Sequence, residues 1–349
     1  MALTVPGLRN WITARGYPSY RGSQVLSWIY SRGATEFSAM TNLPRDLRAA
    51  LAADFTIPQL TPALVTRSND GTRKLLFSLE GSAAIESVLI PDPPRLTLCI
   101  SSQAGCGMGC TFCATARLGL GRNLTAAEIA GQVLAAQTQL DPGERISNIV
   151  FMGMGEPLAN YDAVVQAVEL LTAEWGLGFS ARRVTVSTVG IVPAMARLVQ
   201  DTAVNLAVSL SATTDAQRSR IMPVNRRYPL ETLRTMCRSL PIPQRRRITF
   251  EYVMLAGVND TLEDADRLIK LLRGIRSKVN LIPFNPFPGA GFSSSSDAVI
   301  ARFQERLLAA QVHATIRHSR GRDIAAACGQ LALASARENA AGLQSAPPC

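Results

Sequence analysis

Cys106, Cys110 and Cys113 fall in the stretch CGMGCTFC, spaced C-x3-C-x2-C. Three thiolates can hold three irons of a four-iron cubane, and no fourth cysteine follows at a short interval. One iron is then open to a small molecule. S-adenosylmethionine (SAM) suits that corner, because its amino and carboxylate groups can chelate the iron while an electron breaks its sulfonium bond. Zinc is the competing metal, but zinc sites complete C-x2-C pairs with further Cys or His. The two histidines, His313 and His318, lie about two hundred residues further on. Free buried thiols are common, yet three among glycines within eight residues point to ligation. The metal ligands are therefore expected to be Cys106, Cys110 and Cys113.

Other chemistry-bearing residues stand at the ends of apolar runs. MGMGEP ends the second run, where Gly153 and Gly155 allow close backbone approach and Glu156 can accept from an ammonium group. Ser187 ends the third run, Ser209 and Ser211 the fourth, and Asn285 the sixth. Each alone is equally a turn or capping residue; together they would face one mouth, as a ligand site does. Phe112 either shields a cluster or packs in the core. Cys99 and Cys328 stand apart from the cluster motif and read as buried thiols on composition alone. Cys237 reads as core and Cys349 as idle. Glu86 lies in an apolar run, IESVLIP, where a carboxylate ordinarily faces solvent.

The elements that position these residues fall into four parts. Residues 1–56 read as a helical module, with Val25, Trp28 and Ile29 at helical spacing, and Thr41 or Asn42 as a candidate cap before Pro44. Residues 57–94 read as short strands split by NDG and EGS turns. Residues 95–316 alternate strand-like runs (LTLCIS, NIVFMG, RVTVST, NLAVSL, RITFEYVML, KVNLIPF) with helical stretches such as 126–139 and 261–272. Six βα repeats imply an α/β fold with a parallel sheet, either doubly wound or an incomplete barrel. Residues 317–349 carry Cys328 and fade into an Ala-, Ser- and Pro-rich tail expected to fray.

The chain has 349 residues, 47% of them hydrophobic, enough for a sizeable core. No run of eighteen apolar residues and no signal pattern appear, so no membrane partner is expected. Seven cysteines, an odd number with three clustered, argue against a secreted disulfide framework and for a reducing cytoplasm. The net charge of +10, with Arg182-Arg183, Arg226-Arg227 and Arg245-Arg246-Arg247, fits a nucleic-acid partner or a solvated arginine-rich surface.

In order, YRGSQVLSWIY, NLPRDLR, SNDGTRKLLF, IESVLIP, LCISSQAGCGMGCTFCAT, RNLTAAEI, FMGMGEPLANYD, VTVSTVGIVP, RIMPVNRRYPL, LIPFNPFPG and RGRDIAAACGQLA span nearly the whole chain. This series resembles the RlmN/Cfr class of radical-SAM RNA methyltransferases, and the proline in GEPL resembles the RlmN branch, which acts at adenine C2. The resemblance implies a partial (βα)6 barrel with an N-terminal helical accessory domain and a C-terminal extension. It implies a [4Fe-4S] cluster on Cys106, Cys110 and Cys113, and SAM against Gly155, Glu156, Ser187, Ser209, Leu210, Ser211 and Asn285. Cys328 matches the cysteine that carries the methyl group, Cys99 its disulfide partner, and Glu86 a proton acceptor. The implied substrates are adenines of 23S rRNA and of tRNA next to the anticodon. The implied partners are these RNAs and a reducing electron donor such as flavodoxin, with the chain a monomer. Ala116 stands where the family usually has glycine, and Ser211 where histidine is frequent. A radical route answers a chemical need, since adenine C2 is electron-poor and cannot attack a sulfonium methyl directly. C8 specificity, as in Cfr, and a non-catalytic iron-sulfur RNA-binding protein are the alternatives.

Overall fold

Helix α1 (Val5–Thr13) starts at Thr4, whose hydroxyl accepts from the Gly7 N–H at 3.0 Å, with Pro6 in the first turn. Helices α2 (Tyr20–Tyr30) and α3 (Arg45–Asp54) follow. These helices belong to a computed structural model that describes residues 4–331; the Ala-, Ser- and Pro-rich tail and Cys349 lie outside the described residues. The expected cap before α3 is not made. Pro44 precedes the helix with no side-chain cap, and Asn42 Oδ1 accepts instead from the Trp28 indole at 2.6 Å. The apolar stripes of the three helices, among them Leu8, Ile12, Val25, Leu47 and Leu51, close into their own core. That core rests on Ala130 and Leu170.

Strands β1 (Leu64–Arg67), β2 (Arg73–Ser78), β3 (Ala84–Asp92) and β4 (Arg95–Cys99) form an antiparallel meander. Strands β5 (Gln103–Gly105) and β6 (Leu120–Asn123) pair as a small ribbon around the cysteine loop and α4 (Ala114–Arg117). Too short for periodicity, this ribbon is not legible in the sequence. Then α5 (Ala126–Gln137), β7 (Asn148–Phe151), α6 (Tyr161–Thr172), β8 (Val184–Thr188), α7 (Val192–Asp201) and β9 (Asn205–Ser209) alternate. Helices α8 (Asp215–Ile221) and α9 (Leu230–Ser239) lead to β10 (Ile248–Met254), α10 (Leu262–Leu272), β11 (Ser277–Pro283), α11 (Asp297–Ala309) and β12 (Ala314–Ile316).

The main sheet runs β1-β2-β3-β4-β7-β8-β9-β10-β11-β12, and every pairing from β4 to β12 is parallel. A doubly wound sheet reverses its strand order at a switch point. Here each parallel strand neighbours the next in sequence, the winding of a barrel. β1 and β12 end the sheet without pairing with each other, so the barrel stays open. The six expected strands are β4, β7, β8, β9, β10 and β11; the three-residue β12 is a seventh the sequence did not reveal. Ile149, Val184, Val186, Val208, Val279 and Leu281 are fully buried, as strands covered on both faces require. Two capping boxes, Thr125 with Glu128 and Thr261 with Asp264, start α5 and α10.

Candidate active site

Parallel strands deliver their C-terminal ends to one side, and a cavity of about 1040 Å³ including its mouth opens there. Cys106, Cys110 and Cys113 from the loop after β4 line it, with Gly155 and Glu156 after β7 and Ser187 on β8. Ser209 and Ser211 at the end of β9, Asn285 after β11, and Cys328 complete it. Leu210, between Ser209 and Ser211, is buried and does not line the cavity; its N–H donates to the Glu251 carbonyl at 2.9 Å.

The cysteine loop is built for close approach. Gly155 has φ +100°, and a Cβ there would lie 2.6 Å from Gln103 Cβ, so only glycine lets the second loop rest on the first. Burial, then the neighbouring Cys113 and Cys106 thiols, hold the Cys110 thiol far above its usual range, while burial pushes Cys106 up to about 11. Cys106 and Cys110 are buried and Cys113 is half-buried; thiolates crowded this closely repel one another unless cations lie among them, which is how a cluster fits this donor set. Among the described residues no three His, Cys, Asp or Glu side chains form a group able to hold a single metal ion. A cubane asks something else, because its ligands sit on separate irons at separate corners. Phe112 packs with Cys110, Ile221, Met222 and Phe284, the expected core role, and also lines the cavity. Ala116 lies within α4 and is not among the residues with positive φ, so the methyl in place of the family glycine is accommodated.

Glu156 is 2% exposed and held by backbone donors. Its Oε1 accepts from Leu158 N–H at 3.0 Å and its Oε2 from Val189 N–H at 2.8 Å. Burial nevertheless raises its carboxyl to about 7. Ser211 sits in a left-handed conformation, φ 48°, and its hydroxyl oxygen accepts from Val253 N–H at 3.2 Å.

Arg218, fully buried on α8, ties these loops together and was missed by sequence reasoning. Its guanidinium donates to the carbonyls of Val189 (2.7 Å), Ser209 (3.1 Å) and Leu210 (3.2 Å), and to Asn225 Oδ1 (3.2 Å). A single arginine in a mainly polar segment carries no sequence signal of burial.

A second cavity of about 710 Å³ adjoins the first, and Cys99 and Cys328 both line it, with Arg317 and Glu251. Both thiols are free in this structure. Burial raises each to about 12; the two repel each other's ionisation at Cys99, and Arg317 opposes both rises. Cys328 is exposed and lines both cavities. Its loop is clamped: Asp70 accepts from Gly321 N–H at 2.8 Å, and Ser68 donates to Asp323 at 2.6 Å. Ala114 N–H donates to the Gly329 carbonyl at 2.7 Å.

Glu86 does not face solvent. It is fully buried and pairs with Lys74 Nζ at 3.1 Å, because β2 and β3 lie together inside the protein. Glu86 lines neither cavity, but by strand alternation it shares a face with Val88 and Ile90, which line the second. Lys74 Nζ also lies 3.5 Å from the Ala325 carbonyl, in the Cys328 loop.

The arginine clusters are not gathered around the mouth. Arg182-Arg183 precede β8 and Arg245-Arg246-Arg247 precede β10, at the strand N-termini and thus the opposite end of the barrel. Only Arg226-Arg227 follow a cavity residue, Met222, on the mouth side. Cysteine, glycine and strand-end polar residues on an open parallel barrel define the class, a radical SAM protein. A Radical SAM superfamily model matches residues 100–272, and a model of the ribosomal RNA large subunit methyltransferase N-terminal domain matches residues 1–57. The chain is 52% identical over 329 residues to the dual-specificity RNA methyltransferase RlmN of Geobacter sulfurreducens, covering 94% of this chain and 90% of that one. It is 53% identical to the protein of the same name from Pelobacter propionicus, covering 94% of each. A crystal structure of a radical SAM methyltransferase from Sphaerobacter thermophilus superposes with a TM-score of 0.87 at 47% identity, covering 95% of this chain and 98% of that one. The chain belongs to the RlmN family of radical SAM methyltransferases. Its chemistry therefore uses a [4Fe-4S] cluster and SAM.

Proposed function

We propose that this chain methylates C2 of an adenine in 23S rRNA and in tRNA next to the anticodon, through an S-methylcysteine at Cys328. The observation that carries this reading is the position of Cys328. It stands on the wall between a cavity holding Cys106, Cys110, Cys113 and the strand-end polar set and a second cavity holding Cys99. A thiol so placed can take a methyl group on one side and meet a resolving thiol on the other. RNA as the substrate is supported by the names of the relatives and by the N-terminal match.

Cys106, Cys110 and Cys113 would hold the [4Fe-4S] cluster, which when bound would supply the electron for reductive cleavage of SAM. Glu156 would accept hydrogen bonds from the SAM amino group, and Ser187, Ser209 to Ser211 and Asn285 would orient the rest. Cys328 would present the methyl carbon to an adenine drawn out of its stack, Glu86 would take the C2 proton, and Cys99 would attack the Cys328 sulfur, forming a disulfide as the bond from that sulfur to the transferred carbon breaks and the carbon takes up a proton. Gly-Glu-Pro at 155–157 favours C2 over C8. A reducing donor such as flavodoxin, a monomeric enzyme and the cytoplasm complete the reading. No helix among the described residues is long and apolar enough to cross a membrane.

The test is anaerobic reconstitution with iron and sulfide, then reaction of unmodified RNA with methyl-labelled SAM and mass spectrometry of the nucleosides. Label at adenine C2 with release of deoxyadenosine is expected. Label at C8, or no deoxyadenosine, would overturn the proposal. Cys328→Ala should lose product and keep the iron-sulfur absorbance, and Cys99→Ala should trap a protein–RNA adduct.

A further inference from the structure

Five residues line both cavities: Met152, Glu251, Ile282, Cys328 and Leu331. Only Glu251 and Cys328 among them can exchange a proton with a ligand. Glu251 lies within β10 and is 6% exposed. Asn280 Nδ2 donates to its Oε1 at 2.9 Å, and Thr315 donates to Asn280 Oδ1 at 2.8 Å, which fixes the carboxyl's orientation. Its Oε2 accepts no hydrogen bond from any described residue. A buried carboxyl with one oxygen anchored and the other free, on the wall it shares with a nucleophilic sulfur, has the layout of a general base.

Methylation of Cys328 needs such a base. We propose that Glu251 accepts the thiol proton of Cys328 as the sulfur is methylated by SAM. The sulfur lone pair forms the new S–CH3 bond. The methyl–sulfonium bond breaks, and its pair leaves with S-adenosylhomocysteine. The S–H proton passes to Glu251 Oε2 and from there to solvent on the exposed side of Cys328. No oxidant or reductant enters this step. It is separate from the proton that Glu86 takes from adenine.

The local charges agree. Burial, and then the Cys113 and Glu251 charges, disfavour a Cys328 thiolate, and burial also raises the Glu251 carboxyl against the pull of Arg317. Two acids that disfavour each other's ionisation share one negative charge, and transfer from sulfur to carboxylate conserves it. The other titratable or charged groups facing the pair are Cys106 and Cys110 from the cysteine loop, Cys99 from β4, Glu156 after β7, Lys278 on β11, and Arg317, His318 and Arg320 after β12.

This inference rests on Cys328 as the methyl carrier. Cluster-loaded protein is mixed with SAM, without reductant or RNA, and Cys328 is followed by peptide mass spectrometry for gain of one methyl group. At pH 7 Glu251→Gln should gain it about 100-fold more slowly or worse. Its rate should climb with pH as hydroxide replaces the missing base, and SAM affinity and cluster absorbance should hold. Glu251→Asp should recover part of the rate, and it carries the test if Glu251→Gln does not assemble. Wild-type speed in the glutamine variant overturns the proposal, and so does a slow rate indifferent to pH. If the wild type gains no methyl on Cys328, the carrier reading itself has failed.

Discussion

The side-chain amide of Asn285 donates to the backbone carbonyl of Cys328 at 3.1 Å, while its own carbonyl oxygen accepts from Arg322 at 3.0 Å. A residue expected to touch SAM therefore also holds the loop that bears the proposed methyl carrier. Asn285→Ala should loosen that loop, so amide hydrogen exchange across residues 321–329 should quicken. SAM affinity should fall about tenfold, roughly 1.4 kcal/mol, the worth of one or two polar contacts. Unchanged exchange in that segment would show that the tether is idle.

The proposed contact of Glu156 with SAM predicts a pH dependence of SAM binding. Its carboxyl is raised from 4.5 to about 7 in the folded protein, so its contribution to stability is full below about 4.5 and is lost as pH rises through about 7. The SAM amino group is an N–H donor, held more strongly by the carboxylate than by the neutral acid. SAM affinity should therefore climb as pH rises toward 7, by up to about tenfold per unit. Titration calorimetry from pH 5.5 to 8 checks this, and Glu156→Gln should bind weakly with a flat profile.

Arg218 holds three strand-end carbonyls that no other described side chain reaches. Arg218→Met leaves them and Asn225 Oδ1 without this donor, at a cost on the order of 3 kcal/mol. The urea midpoint should drop with an unchanged slope, and SAM affinity should fall because Val189 also steadies Glu156. Arg218→Lys, which keeps the charge but fewer donors, should fall between.

Lys74 and Glu86 form a buried ion pair, 4% and 0% exposed. Removing one side takes a cationic partner from a buried carboxylate, so Lys74→Met should cost about 3–5 kcal/mol. Lys74→Met with Glu86→Gln should cost less than the two single changes summed. Simple additivity in denaturant unfolding would deny the coupling.

The cluster cysteines, the Gly-Glu loop and the strand-end serines were legible because their chemistry is local: a ligand set within eight residues, or a polar residue closing an apolar run. Strand types were legible for the same reason, since β-branched runs announce buried strands. The roles of Cys99, Cys328 and Glu86 rested on resemblance, because no spacing links residues that lie in different elements.

Sequence by itself determined which residues could bind iron and that a parallel α/β sheet would carry them. Only the tertiary structure decided that the sheet winds as an open barrel, because strand order depends on pairing between distant segments. It also decided that Cys99, Cys328, Glu251 and Arg317 share one wall, that Glu86 is buried against Lys74, and that five arginines of the paired and tripled runs lie away from the mouth. A side chain's type is written in the chain. Its neighbours and its solvent are set by packing, and these fix whether a carboxylate is a surface charge or a buried base.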